Sequence, residues 1–196
     1  MTRRPLVAAL AALSVLGLAA CGSSSSSGNG GSAKAVNPNG KEVSPPGDIP
    51  DNQAFVAYSP PGAGFSVKVP EGWARTSQGP ATIFADKLNS VRMESMSGPS
   101  APTAATIKKD TAQIQGAQSG SIATSKVKRK AGTAVRIVYL TTGRADPVTG
   151  KSRTLAVERY EFFKKGKEAV LTLSGAKGAD NVDPWRIVTD SFRWTA

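Results

Sequence analysis

The chain alternates apolar and polar residues over short runs along most of its second half. Phe65-Ser66-Val67-Lys68-Val69 alternates strictly, which is typical of a strand with one buried face. Comparable patterns predict further strands over residues 55–58, 81–85, 91–96, 122–129, 133–140, 153–164 and 169–173. Apolar residues occupy both faces of 133–140, so we expect this strand to be central.

Two segments have the periodicity of amphipathic helices instead. The first covers residues 102–117, where Thr103 can cap the start and the end is expected near Gly116 or Gly120. The second is predicted to begin with Asp183 as its N-cap and Pro184 at its first position. Its core-facing stripe consists of Trp185, Val188 and Phe192. Adjacent antiparallel strands with two separate helices predict an α+β fold.

The N-terminus has the organisation of a bacterial export signal. Residues 1–20 combine a basic start at Arg3 and Arg4, an apolar stretch and small residues before the cleavage point. Leu18-Ala19-Ala20-Cys21 looks like a lipobox, whose cysteine receives a diacylglyceryl thioether. We therefore expect Cys21 to anchor the protein to the cell membrane on its extracytoplasmic face. An ordinary secretory signal followed by a free cysteine is the alternative.

The segment after the lipobox is predicted to be a disordered tether over residues 21–53. It is rich in Ser, Gly, Pro and Asn, and such a composition cannot bury enough apolar surface to offset its ordering entropy. A flexible chain of this length has a mean span on the order of 30 Å. Residues 54–196 are then predicted to form one globular domain, which is large enough to fold without a disulfide or metal.

Positive charge is in excess, with 25 Lys and Arg against 14 Asp and Glu. Export excludes intracellular nucleic acid as a partner, which leaves anionic lipids, anionic wall polymers or an envelope protein. Two polar segments, the basic run 126–130 and the hairpin loop 143–152, are the predicted partner-binding surface. Lysines along an exposed strand edge also protect against aggregation, and this is the simpler interpretation of the run. The candidate residues are Lys126, Lys128, Arg129, Lys130, Arg144, Asp146 and Lys151.

The residues needed for common catalysis are scarce. The chain has no histidine and one cysteine, which excludes Ser-His-Asp and Cys-His arrangements and the usual zinc sites. Asp180 and Asp183 could hold a hard cation, although helix capping explains them better. A Ser–Lys dyad or a carboxylate pair leaves a hydrolase open as a minor alternative. We predict a protein that is not an enzyme and that needs no cofactor.

Two groups of residues resemble a known superfamily. The first is Tyr58-Ser59-Pro60 followed by the stretch from Phe65 to Trp73, and the second runs from Tyr160 to Phe192. Both are similar to segments of PsbP-like proteins, and together they span about residues 54–194. This superfamily includes extrinsic photosystem II subunits, Ran-binding Mog-type proteins and actinobacterial LpqN-type lipoproteins. The lipobox and the Ser-rich tether resemble the lipoprotein branch most.

The resemblance implies an antiparallel sheet between helices, an α/β/α sandwich. It also implies a non-enzymatic role in binding or stabilising other proteins, with no catalytic motif to transfer. The leading hypothesis is therefore a membrane-anchored binding or accessory protein of the cell envelope. The alternative is a carrier of a lipid or other apolar ligand, held in a pocket between sheet and helix.

Overall fold

The computed structural model describes residues 46–97, 100–112, 114 and 116–195. The predicted signal peptide, Cys21 and the tether up to residue 45 lie outside the described residues. The described part contains ten strands and two helices. In chain order these are β1 Phe55–Tyr58, β2 Phe65–Pro70, β3 Ala74–Gln78, β4 Ala81–Asp86, β5 Asn89–Ser97, α1 Ala104–Ala112, β6 Ala123–Arg129, β7 Gly132–Thr142, β8 Thr154–Lys164, β9 Lys167–Ala176, α2 Val182–Asp190 and β10 Arg193–Trp194.

The strands form two antiparallel sheets. The larger has seven strands in the order β3-β4-β5-β9-β8-β7-β6, and the smaller has three in the order β1-β2-β10. The strand predicted to be central, β7, lies second from the β6 edge. It is therefore not central, and both of its faces carry apolar residues because a separate core covers each face of the sheet.

The large sheet is covered on both faces. On one face, residues of the sheet form the main core together with β2 and α2. Successive residues of β7 show which core lies on which face. Ala134 belongs to this main core, whereas Val135 and Ile137 pack with Ile107 of α1 in a second cluster. Because neighbouring strand residues point to opposite faces, the two helices flank the sheet on opposite sides. The predicted α+β sandwich is confirmed.

Residues 46–53, which the sequence placed in the tether, pack onto the domain. Ile49 is buried, and its backbone N–H donates to the Asn181 side-chain oxygen at 2.8 Å. The Asn181 amide donates in turn to the Gly47 carbonyl and to Asn89 Oδ1, each at 3.0 Å. We call Gly47, Ile49, Asn89 and Asn181 the asparagine clasp. All described packing lies within residues 46–195, so a chain that begins at residue 22 retains it.

The first helix is shorter than its periodicity predicts. Thr103 caps it as expected, since its hydroxyl accepts from the Thr106 N–H at 3.2 Å. The helix ends at Ala112, before Gly116. Shortly afterwards the Gln118 N–H donates to the Leu140 carbonyl at 2.8 Å. The chain is thus held alongside β7, which is incompatible with continuing the helix.

The second helix begins earlier than predicted. Its N-cap is Asn181, and Asp183 and Pro184 lie in its first turn. The Asn181 side chain makes no capping hydrogen bond because it belongs to the asparagine clasp. The predicted core stripe of this helix is confirmed, since Trp185, Val188 and Phe192 are all buried.

Candidate functional site

The two halves of the predicted partner-binding surface lie at opposite ends of β7. In the pairing of β6 with β7, Arg129 is opposite Gly132 at the start of β7. The hairpin loop follows Thr142 at its other end. A strand of eleven residues is about 33 Å long at ~3.3 Å per residue. The structure therefore does not bring the basic run and the loop together.

The basic run is itself divided between two sides of its strand. Lys126, Lys128 and Lys130 are exposed, and the first two lie on the edge strand β6. Arg129 is directed towards α2, where its Nε donates to the Thr189 hydroxyl at 2.9 Å. Its guanidinium also lies 5.1 Å from the ring centroid of Tyr160. Arg129 therefore connects β6 with α2 rather than extending into solvent.

A hydrogen-bond network continues from Arg129 across the sheet. Its Nη2 donates to the Tyr160 hydroxyl at 3.0 Å, which donates to Glu158 Oε2 at 2.6 Å. Arg136 Nε donates to the same carboxylate at 3.1 Å. Burial raises the pKa of Glu158, but the hydrogen bonds from Arg136 and Tyr160 outweigh it, so the pKa lies below its usual value. The network joins β6, β7, β8 and α2.

Acid should weaken this network. Because the pKa of Glu158 is lowered by folding, its contribution to the free energy of unfolding is fully present above the usual value of 4.5. That contribution is lost as the pH falls through the lower, folded-state pKa. We expect Glu158→Gln to flatten this acid-side decrease in chemical denaturation experiments. An acid-side slope equal to that of the unaltered protein would contradict the assignment.

The hairpin loop uses its acidic residue internally. Asp146 Oδ1 accepts hydrogen bonds from the Thr149 N–H at 2.7 Å and the Val148 N–H at 3.0 Å. These bonds, with that from the Thr149 hydroxyl, hold the pKa of Asp146 below its usual value. Asp146 thus stabilises the turn. Arg144 and Lys151 remain as its exposed charges.

A concave site that is more strongly charged than the basic run or the hairpin loop lies along α2, and we call it the α2 groove. Its cavity volume is about 820 Å³. It is lined by α2, β10, residues of β2 and β8, and the turn after β6. Five cationic side chains and two carboxylates line it, an excess of three positive charges. The cations are Lys68, Lys130, Lys164, Arg186 and Arg193. Of the residues predicted from sequence, Lys130 alone lines this groove.

Most of the positive charge in the groove is uncompensated. Asp190 is shared between Arg186 and Arg129, with an N–O distance of 3.7 Å to each. The other four cations have no carboxylate within 4.0 Å among residues that the structure describes. Cations grouped around a concave surface attract anions more strongly than isolated surface charges do.

Aromatic residues form the floor of the groove. Phe192 is fully buried and stacks on Phe162, with ring centroids 4.0 Å apart. Trp194 meets Phe192 edge-on at 5.2 Å and remains partly exposed. Ile187 is 43% exposed at the rim. The groove thus combines a rigid apolar floor with a cationic border.

A polar cavity of about 730 Å³ lies on the α1 face of the large sheet. Arg159, in its wall, donates to the buried Glu161 at 2.7 Å, and Glu161 Oε2 has no hydrogen-bond partner within the described ranges. Burial, followed by the charge of Glu161, raises the pKa of Glu168. Ile114 also lines this cavity, but its neighbours 113 and 115 lie outside the described residues.

A third cavity, of about 650 Å³, lies between α1 and β6. Its apolar residues include Ile107 and Ile122, while Lys108 and Lys126 stand beside them. Across the described parts of the chain, no three His, Cys, Asp or Glu side chains are placed to hold a metal ion. Neither α1 nor α2 is long and apolar enough to cross a membrane.

The comparisons with known proteins give structural similarity only. No family model matches the sequence, and no curated protein matches it. The yeast Ran-binding protein Mog1p from Saccharomyces cerevisiae is 9% identical, with a TM-score of 0.48 over 73% of this chain and 96% of its own. The cyanobacterial PsbP of Synechocystis is 15% identical, with a TM-score of 0.47 over 84% of this chain and 99% of its own.

The chain is also similar to LpqN, a protein of Mycobacterium tuberculosis involved in cell envelope biogenesis. The identity is 15% and the TM-score 0.37, over 72% of this chain and 84% of LpqN. A Bacteroides thetaiotaomicron protein is 15% identical with a TM-score of 0.49 over 70% of this chain, which spans 47% of that protein. The superfamily members named from the sequence are thus among the similar structures. Values this low carry no argument about function.

Sequence reasoning missed the α2 groove because its cations are far apart in the chain. Lys68, Lys164 and Arg193 belong to three different strands, or their ends, and form no run. Periodicity alone places Phe192 at the end of a helix and gives no role to Trp194. The short strand β10 pairs Arg193 with Ser66 and Trp194 with Phe65, and this pairing brings Arg193 and Trp194 to the groove.

Proposed function

We propose that this protein is a non-catalytic binding or accessory protein of the cell envelope, of the LpqN type, held on the extracytoplasmic membrane face by lipidated Cys21. The observation that supports it best is the α2 groove, with four uncompensated cations around an aromatic floor. The partner is an anionic component of the envelope. Anions gain a favourable interaction with each cation they approach, and the concave shape concentrates that attraction.

The side chains of the groove favour binding over catalysis. The hydroxyl in its lining belongs to Ser191, which donates to the Val188 carbonyl at 2.6 Å and accepts from the Lys68 N–H at 2.7 Å. A hydroxyl held between two backbone groups is poorly placed as a nucleophile. The sequence provides no histidine to activate it.

Anion binding predicts a ligand-dependent increase in thermal stability. We expect polyphosphate at about 100 times its dissociation constant to raise the Tm by about 5–10 °C, because a ligand that binds only the folded state stabilises it. Neutral dextran should leave the Tm unchanged. Differential scanning fluorimetry at low salt would measure both.

A pair of matched variants locates the site. The groove variant, Lys164→Ala with Arg193→Ala, should reduce the polyphosphate shift to about 1–2 °C, because each lost charged contact weakens binding about tenfold. The loop variant, Arg144→Ala with Lys151→Ala, removes the same charge at the far end of β7 and should retain the shift. The reverse result would assign binding to the hairpin loop and overturn the groove.

A carrier of an apolar ligand is the second candidate. The cavity between α1 and β6, with Ile107 and Ile122 in its wall, is the feature that favours it. Native mass spectrometry of the protein from its own membrane would reveal a co-purifying ligand. Loss of that ligand in Ile122→Ser, with the groove variant unaffected, would support the carrier over the anion-binding function.

A further inference from the structure

We infer that the α2 groove takes the phosphate headgroup of an anionic membrane lipid, so that the domain docks onto a bilayer surface. This inference rests on the proposed function, because it specifies which anionic component the groove binds. The cations would surround the phosphate, while Ile187 and Trp194 enter the interfacial layer of the membrane.

The first support is the charge at the border. Lys68, Lys164 and Arg193 are exposed and stand around the opening without a carboxylate partner in the described structure. Basic residues near an anionic bilayer each contribute a small, additive attraction. The excess of three positive charges on one concave surface therefore produces an attraction that decreases with ionic strength.

The second support is the apolar surface beside these charges. Ile187 is 43% exposed at the rim of the groove, and Trp194 is partly exposed within it. Val182 is 70% exposed one turn before Arg186, on the same face of α2. A hydrated polymer gains little from large apolar side chains, whereas a membrane interface accommodates them, and tryptophan especially. Cations mixed with exposed apolar residues thus favour a lipid surface over a soluble polyanion.

The third support is the place where the chain joins the domain. The asparagine clasp fixes Gly47 and Ile49 beside Asn181, the N-cap of α2. A helix of nine residues is about 13 Å long, so the far end of α2, at Asp190, lies roughly that distance from its N-cap in the clasp. The segment that leads from Cys21 therefore meets the domain at one end of the groove helix.

Vesicle binding tests the inference directly. The chain from residue 22 to 196, which carries no lipid, is mixed with vesicles of phosphatidylcholine or of phosphatidylcholine with an equal share of phosphatidylglycerol, and bound protein is measured by co-sedimentation. We expect binding to the anionic vesicles to be at least about tenfold stronger. The groove variant should weaken it about 30-fold, from the loss of two cations near the surface.

Two further variants separate docking from general charge attraction. The loop variant should change binding by about twofold at most, because its charges lie well beyond a Debye length from the groove. Ile187→Ser should weaken binding about threefold, and this loss should persist at raised salt because it is apolar in origin. Equal weakening by the groove and loop variants would overturn the inference, since net charge would then explain the binding.

Failure of the inference and failure of the proposed function give different results. If polyphosphate raises the Tm and the groove variant abolishes that effect, but anionic vesicles are not bound, the lipid assignment is wrong and the anion-binding function stands. If neither vesicles nor polyphosphate bind, both are wrong. Binding to both vesicle compositions with equal strength would likewise refute a groove that selects lipids with a net negative headgroup.

Discussion

Replacing Phe192 by alanine should lower the free energy of unfolding by about 3–5 kcal/mol, the range for truncating a large aromatic side chain in a close-packed core. Phe192 has no exposed surface and lies between three aromatic rings. Its centroid is 4.0 Å from that of Phe162, 5.3 Å from Phe65 and 5.2 Å from Trp194. Removing the ring leaves a cavity that these neighbours cannot readily fill.

Urea denaturation would measure this loss, with two variants for comparison. Phe192→Leu keeps much of the volume and should cost about 1–1.5 kcal/mol. Ile187→Ala lies on the solvent side of α2 and should cost less than about 1 kcal/mol. Because Trp194 packs edge-on against Phe192, the alanine variant should also weaken anion binding. A loss below about 1 kcal/mol for Phe192→Ala would show that the groove floor is not part of the core.

Replacing Cys21 by serine should move the protein from the membrane fraction to the soluble fraction. Serine cannot form the thioether, so a protein held by lipidated Cys21 loses its covalent anchor. The domain should remain folded, because the main core is built from residues between Ile49 and Phe192. Cell fractionation and metabolic labelling with a fatty-acid analogue would check both parts of the prediction, with Ser23→Ala as the control that stays membrane-bound and labelled.

The groove complicates that experiment in a useful way. If it binds lipid headgroups, Cys21→Ser could remain on membranes at low salt through electrostatic attraction alone. Fractionation should therefore be repeated after a high-salt wash and in the background of the groove variant. A Cys21→Ser protein that stays membrane-bound under both conditions would contradict the lipid anchor.

Local patterns in the sequence predicted most of the fold. Strict alternation located β2, because one of its faces is buried in the core while Lys68 is exposed. The edge strand β3 was missed because all five of its residues are exposed and no buried face generates a pattern. The start of α2 was misplaced because Asp183 followed by Pro184 is a favourable local start, whereas the helix begins with the Asn181 carbonyl accepting from the Trp185 N–H at 3.0 Å. The role of the Asn181 side chain in the asparagine clasp, a contact between residues 132 positions apart, has no local signal.

The candidate site was harder to predict from the sequence than the fold, because it depends more on tertiary structure. Alternate residues of a strand share a face, so a strand with Lys126 and Lys128 on one face has Arg129 on the other, where the structure shows it contacting Tyr160. The approach of Lys68, Lys164 and Arg193 to one cavity had no such signal, since the order of the strands in the two sheets determines it. The basic run therefore identified the edge strand β6, whereas the α2 groove is formed by residues that only the tertiary fold brings together.

The asparagine clasp also determines how mechanical load would enter the domain. Tension transmitted along the chain from residue 45 reaches Gly47 and Ile49 first, and their hydrogen bonds pass it to Asn181 on α2 and Asn89 on β5. A few side-chain bonds would break before any strand of the large sheet is pulled apart. Residues 46–49 would then detach under tension and lengthen the connection between Cys21 and the domain, while the large sheet stays intact.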